Sequence, residues 1–156
     1  MAANHGLSTQ TQFSLFLVNK PGALAKVLQR LADGKINIVA MSMMDSTEHG
    51  VMRLVAEDPA HVRASLKEVD LPATETDVLT AVLPNRPGAL ADVVERLSRN
   101  RISVNYAYCT TGAAGGRTLG IFKVSSLAKA MQTLSERKPK RKQTASIRGN
   151  GRARRK

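Results

Sequence analysis

The chain has 156 residues, 42% of them hydrophobic and 23% charged, with one cysteine, no tryptophan and a formal net charge of +12. That composition suits a soluble globular protein and excludes collagen-like, mucin-like and wholly disordered chains. The charge is unevenly spread: Ser135 to Lys156 holds ten Lys and Arg against Glu136 alone, so a nearly neutral body carries a basic tail.

Met1 to Gln10 has no apolar block and no basic cluster, so no secretory leader is expected. No apolar run approaches the roughly 18 residues of a membrane span, so no membrane partner is expected. Cys109 cannot build a disulfide framework alone, which fits a reducing, cytoplasmic setting.

Phe13, Leu15 and Leu17 alternate with Ser14, Phe16 and Val18, the pattern of a strand with both faces partly buried. Asn19-Lys20-Pro21-Gly22 breaks it, with Pro21 suited to the first turn of a helix. Leu24, Val27, Leu28 and Leu31 then mark one apolar helix face, which Asp33-Gly34 ends. Ile36 to Met44 returns to strand character and places Met41 and Met43 on one face with Asn37 and Val39, and Met44 on the other. Ser46 to His49 turn the chain and Gly50 to Ala56 forms another strand. Asp58 caps a helix that opens on Pro59 and carries Val62 and Leu66. Ala73 to Thr76 is a short closing strand, weakened at its start by Pro72.

The same order recurs: strand Val78 to Leu83, helix Pro87 to Arg99, strand Ile102 to Thr110, strand Thr118 to Val124, helix Leu127 to Arg137. The repeat is visible in the letters. Asn19 to Leu31 reads NKPGALAKVLQRL and Asn85 to Leu97 reads NRPGALADVVERL, identical at 9 of 13 positions. Lys35-Ile36-Asn37-Ile38 matches Arg101-Ile102-Ser103-Val104. Duplication is the cause. The offset drifts by two at the loop Thr111 to Gly116, where insertions are tolerated.

Each repeat is therefore a split βαβ unit of the ferredoxin-like kind, βαββαβ, in an α+β fold with antiparallel strands and helices on one face. The units are expected over residues 11–76 and 77–137, with residues 138–156 as a disordered basic tail. The second unit has no apolar closing strand; Gln143 to Ile147 is a poor candidate. An unclosed sheet edge pairs with something, so either a homodimer or side-by-side pairing of the repeats is expected.

The two Asn-Lys/Arg-Pro-Gly turns carry the chemistry. Gly22 and Gly88 allow close approach, and the first N–H groups of the following helix attract a carboxylate or phosphate. Asn19 and Asn85 add an amide with both donor and acceptor. Turn and cap chemistry alone would produce the same letters. Other chemistries are thin. His5, His49 and His61 lack metal-ligand spacing. Cys109 is expected to be a buried, inert thiol. The glycine-rich stretch Gly112 to Gly116 lacks the Lys-Ser/Thr of a phosphate loop. No cofactor, no metal and no enzymatic activity are expected.

Strand, N-[KR]-P-G-A-L, amphipathic helix and [KR]-I-[NS]-[IV], occurring twice between Thr11 and Glu136, resembles the ACT domain in tandem. The resemblance implies ferredoxin-like modules that bind small ligands, commonly amino acids, where two modules meet, and that regulate an enzyme. It implies ligand contacts from Asn19, Pro21, Gly22, Ala23, Leu24 and Asn37 in the first unit. In the second it implies Asn85, Pro87, Gly88, Ala89, Leu90, Ser103 and, two residues on, Asn105. Ser103 departs from the Asn of the first unit, so the two sites need not be equivalent. Leu17 and Leu83 stand where some relatives carry His, which weighs against serine-type recognition.

Two other functions stay open at this point. The tail, residues 138–156, would bind nucleic acid without sequence preference, and Tyr106 and Tyr108 share a strand face as RNA-reading aromatics do, though Ala40 and Ser42 hold the aligned positions. A ligand-free dimerisation scaffold is the other.

Overall fold

The computed structural model describes residues 6–44, 49–68, 71–111 and 117–136. In chain order these form β1 (Leu7–Val18), α1 (Ala23–Asp33), β2 (Ile38–Met44), β3 (His49–Ala56), α2 (Pro59–Glu68), β4 (Ala73–Pro84), α3 (Ala89–Arg99), β5 (Val104–Thr111), β6 (Arg117–Val124) and α4 (Leu127–Ser135). The tail, the candidate strand Gln143 to Ile147, the glycine-rich stretch and most of the turn before His49 lie outside the described residues.

The strands build one antiparallel sheet in the order β2-β3-β1-β4-β6-β5. Two βαββαβ-like units lie side by side in it, and β1 and β4 belong to both. Each is twelve residues long. They pair from Leu15 with Ala73 to Leu7 with Ala81. The start of β4 thus closes the first unit beside β1, and the start of β1 closes the second unit beside β4. The sheet edge that the sequence left open in the second unit is covered by the first unit's own leading strand. Strand β1 begins at Leu7, six residues before the apolar alternation starts, because the polar run Ser8 to Gln12 is held by pairing with β4. The expected boundary between Thr76 and Asp77 falls inside β4.

Helices α1 and α3 start at Ala23 and Ala89, two residues later than the prolines suggest. Gly22 (φ 85°) and Gly88 (φ 82°) occupy the N-cap in the left-handed region, where a side chain is strained. Both helices also end alike. Lys35 and Arg101 take positive φ, and the N–H groups of Ile36 and Ile102 donate back to the carbonyls of Leu31 and Leu97 at 2.9 and 3.0 Å. Asp58 caps α2 as expected, its Oδ1 accepting from the His61 N–H at 3.1 Å. Arg63 on α2 donates twice to Glu75 on β4, both at 2.6 Å, and holds that carboxyl below its usual range.

The core has three parts. Phe13, Leu15, Leu17, Met52 and Leu54 pack under α1 and α2, and Leu79, Ala81, Leu83 and Phe122 under α3 and α4. A third cluster, Ala40, Val55, Val78 and Ile121 with Tyr108, lies on the other face. There Gln12 is wholly buried. Its Nε2 donates to the Tyr106 hydroxyl at 2.8 Å and its Oε1 accepts from Tyr108 at 3.0 Å. The Arg53 guanidinium sits 4.0 Å from the centre of the Tyr106 ring. Gln12 on β1 and Tyr106 on β5 are three strands apart, about 14 Å in a flat sheet. Their hydrogen bond, and the contact between the end strands β2 and β5, show the sheet rolled so that its helix-free face is concave.

A β-bulge between Ile38 and Ala40 changes one expectation. Alternation puts Val39 with Met41 and Met43; the bulge instead brings Val39 into the cluster with Ala40. Met41, Met43 and Met44 are exposed, whereas Met52 is fully buried.

Candidate functional site

The Asn-Lys/Arg-Pro-Gly turns are built identically. The N–H of Lys20 donates to Val18 O and that of Arg86 to Pro84 O, both at 2.9 Å. The N–H groups of Ala23 and Ala89 donate to the carbonyls of Lys20 and Arg86 at 3.2 and 3.3 Å. Those of Lys26 and Asp92 donate to Gly22 and Gly88 at 3.0 and 2.9 Å. The next N–H groups, of Leu24 and Ala25 in α1 and of Leu90 and Ala91 in α3, precede any helical carbonyl that could accept them. Asn19, Pro21 and Gly22, and Asn85, Pro87 and Gly88, are all exposed, as is Leu90; Leu24 is half-buried and Ala89 buried.

Asn37 and Ser103 lie elsewhere. Asn37 Nδ2 donates to Glu57 Oε1 at 2.7 Å, and the Glu57 N–H returns a bond to Asn37 O at 3.3 Å. Ser103 N–H donates to Ser125 Oγ at 3.1 Å, and Ser125 N–H to Ser103 O at 2.9 Å. These pairs close the β2–β3 and β5–β6 ladders. Val18 pairs with His49 at the start of β3, whereas Ile38 pairs with Ala56 at its end. Asn19 and Asn37 are therefore at opposite ends of β3, about 25 Å apart along it. Asn85 and Ser103 are separated in the same way, since Pro84 pairs with Arg117 and Val104 with Val124. No small molecule touches both positions within one unit. Asn105 is exposed on β5.

Beside the first turn is a cleft of about 390 Å³ lined by Phe16, Leu17, Val18, Lys20, Ala23, Lys26, Val27, Arg30, Leu66 and Leu71. It exists because β4 meets β1 only as far as Leu15, leaving Phe16 to Val18 without a strand on that side. Lys26 and Arg30 line this cleft, and motif reasoning passed over them. The signal was present as the Lys26/Asp92 mismatch inside an otherwise matching repeat.

Other candidates resolve differently. Tyr106 and Tyr108 do share a face, but their hydroxyls are bound to Gln12 and the Tyr106 ring is covered by Arg53, so they form no open stacking platform. Burial pushes the Tyr108 phenol well above its ordinary value. Cys109 is exposed on β5 instead of buried, with its thiol pushed up by partial desolvation. Among the described residues no group of three His, Cys, Asp or Glu could hold a metal ion, and no helix is long and apolar enough to cross a membrane.

A search of curated proteins returned no match. Among solved structures, the protein BT0572 from Bacteroides thetaiotaomicron is similar at 30% identity and TM-score 0.76, over 82% of this chain and 88% of that one. The ligand-free regulatory subunit of aspartate kinase from Thermus thermophilus shares the fold at 15% identity and TM-score 0.59, over 83% and 94%. Aspartokinase alpha and beta subunits do so at 17% and 0.57, again over 83% and 94%. The family model for the ACT domain pair matches residues 8–141, and the chain belongs to that family.

Proposed function

We propose that the chain is a non-catalytic cytoplasmic sensor that binds an amino acid at its Asn-Lys/Arg-Pro-Gly turns and passes occupancy on to a partner protein. The observation that carries this is the turn itself. Left-handed Gly22 and Gly88 deliver the chain into helices whose leading N–H groups have no helical acceptor, a setting that favours a carboxylate. Membership of a family of regulatory domains supports the same reading.

The ligand's carboxylate meets the helix start and the Asn19 amide holds its polar groups. Asn37, Ser103 and Asn105 reach such a ligand only from a second copy of the chain, which is why a homodimer belongs to this proposal. Exposed Phe16, Val18, Met41, Met43 and Met44, around the end strand β2, supply apolar surface for it. The test is calorimetry with the twenty amino acids. One or more should bind, and Asn19→Ala should weaken that binding by about 1–3 kcal/mol, the cost of an unpaired buried polar group. Unchanged affinity in both Asn19→Ala and Asn85→Ala removes the turns from the site.

A further inference from the structure

The two turns share a backbone but differ in what lies over them. In the second, Arg86 folds back across the turn: Nη1 donates to Pro87 O at 3.1 Å and Nη2 to Asp92 Oδ2 at 3.0 Å. A Cβ built on Gly88 would meet that guanidinium at 3.8 Å. In the first, a Cβ built on Gly22 meets nothing within 4 Å. The repeat offset aligns Lys20 with Arg86 and Lys26 with Asp92. The second turn thus holds its own carboxylate against its own cation. The first has no acidic residue in the opening turn of α1, and among the described residues no carboxylate pairs with Lys20 or Lys26.

The cleft opens where that carboxylate is missing. Its walls are Phe16, Leu17, Val18, Leu66 and Leu71, and its cations are Lys20, Lys26 and Arg30. Arg30 pairs with Glu68, yet its Nε is buried with no acceptor. The aligned Arg96 is instead spent on the carbonyls of Thr133 and Glu136. Three cations, one of them with an orphaned donor, beside an apolar wall favour a carboxylate carried on an apolar body, and among the described residues no acidic side chain lines the cleft to hold a cationic side chain.

We propose that the chain binds one ligand, in the cleft at the first turn only, and that this ligand is an amino acid with a branched or aromatic side chain. Its carboxylate takes the place at Lys20 and Lys26 that Asp92 fills in the second turn, and its side chain lies against Phe16, Val18 and Leu71. This rests on the amino-acid function proposed above and narrows it to one site and one ligand class.

Calorimetry on the full chain with leucine, phenylalanine, lysine and aspartate tests it. The expected result is one leucine or phenylalanine bound per chain, with lysine and aspartate weaker. Lys26→Asp, which copies the second turn into the first, should weaken binding about tenfold or more, since a like charge faces the ligand carboxylate. Lys26→Met, which keeps the stem, should weaken it less. Asp92→Asn should leave the first site unchanged. Two equivalent sites per chain, binding indifferent to Lys26→Asp with the circular dichroism unaltered, or a preference for lysine or aspartate overturns the inference while leaving the amino-acid function standing. If none of the twenty amino acids binds, both fall.

Discussion

Thr11 and Asp77 face each other across β1 and β4, and they are also equivalent positions of the sequence repeat. The pseudo-twofold axis of the chain therefore passes between them. Side chains near such an axis meet their own equivalents, and two large copies cannot fill one space. On the concave face the repeats have diverged to suit: Gln12 stands opposite in role to Val78, Ala40 to Tyr106 and Ser42 to Tyr108. The small residues of the first unit leave room for the tyrosines of the second, and Gln12 binds both.

Gln12→Val makes the first unit copy the second and leaves two phenol groups without their amide. It should destabilise the protein by about 1–3 kcal/mol, the cost of stranding buried polar groups. Adding Tyr106→Phe and Tyr108→Phe should recover most of the loss, because removing both sides of a buried bond is nearly neutral. Urea denaturation of the single and triple variants checks this. A triple variant no more stable than the single would assign the loss to packing instead of hydrogen bonding.

Tyr108 gives a pH prediction. Burial raises its phenol above the ordinary value, the neighbouring Tyr106 adds to the shift and Arg53 opposes it. A raised folded-state value means that folding favours the neutral phenol. That stabilisation is complete below the unfolded value of about 10 and is lost as pH climbs toward the folded one. With two tyrosines and no tryptophan, tyrosinate absorbance is easy to follow. Tyr108 should ionise only together with alkaline unfolding, and Tyr108→Phe should remove that step. A reversible titration of Tyr108 at the ordinary phenol value in the folded protein would contradict its burial.

Much of this fold was legible because its signals are local. The repeat, the alternation at Phe13 to Leu17, the helix face at Leu24, Val27 and Leu31, and the Asp58-Pro59 cap each announce an element within a few residues. What was not legible depends on partners far away. Leu7 to Gln12 shows little apolar alternation, and only pairing with β4 makes it a strand. The bulge at Val39 and the burial of Gln12 follow from the rolling of the sheet. At the site, the turns stood out as motifs, whereas the cleft beside the first arises from where β4 stops pairing, which no local pattern encodes.

The leading half of β1 closes the second unit, so its removal should be felt there. Deleting residues 1–11 strips the partner from Asp77 to Ala81 and removes Leu7 from the core under α3 and α4. Hydrogen exchange should quicken in β4 and β6, and the exposed β4 edge should drive association visible by light scattering. The first unit loses less, since Phe13 to Val18 still pair with β3. A truncated chain with full protection in β4 and no added mass would mean that another segment closes the second unit.

The basic tail should then be dispensable for folding. Among the described residues the second unit's sheet is already completed by β1, so the tail is not needed as its closing strand. Its composition also offers little to bury: residues 138–156 hold one isoleucine, two alanines and nine Lys and Arg, against an ordering cost of roughly 1–2 kcal/mol per residue. Removing residues 138–156 should leave the melting temperature and amino-acid binding unchanged. If the full chain binds nucleic acid, that binding should be indifferent to sequence, fall steeply with salt as counterions compete for the phosphates, and vanish with the tail. A truncated chain that melts earlier or loses its amino-acid site would show that Gln143 to Ile147 packs on the sheet, and that β1 and the tail share the closing of the second unit.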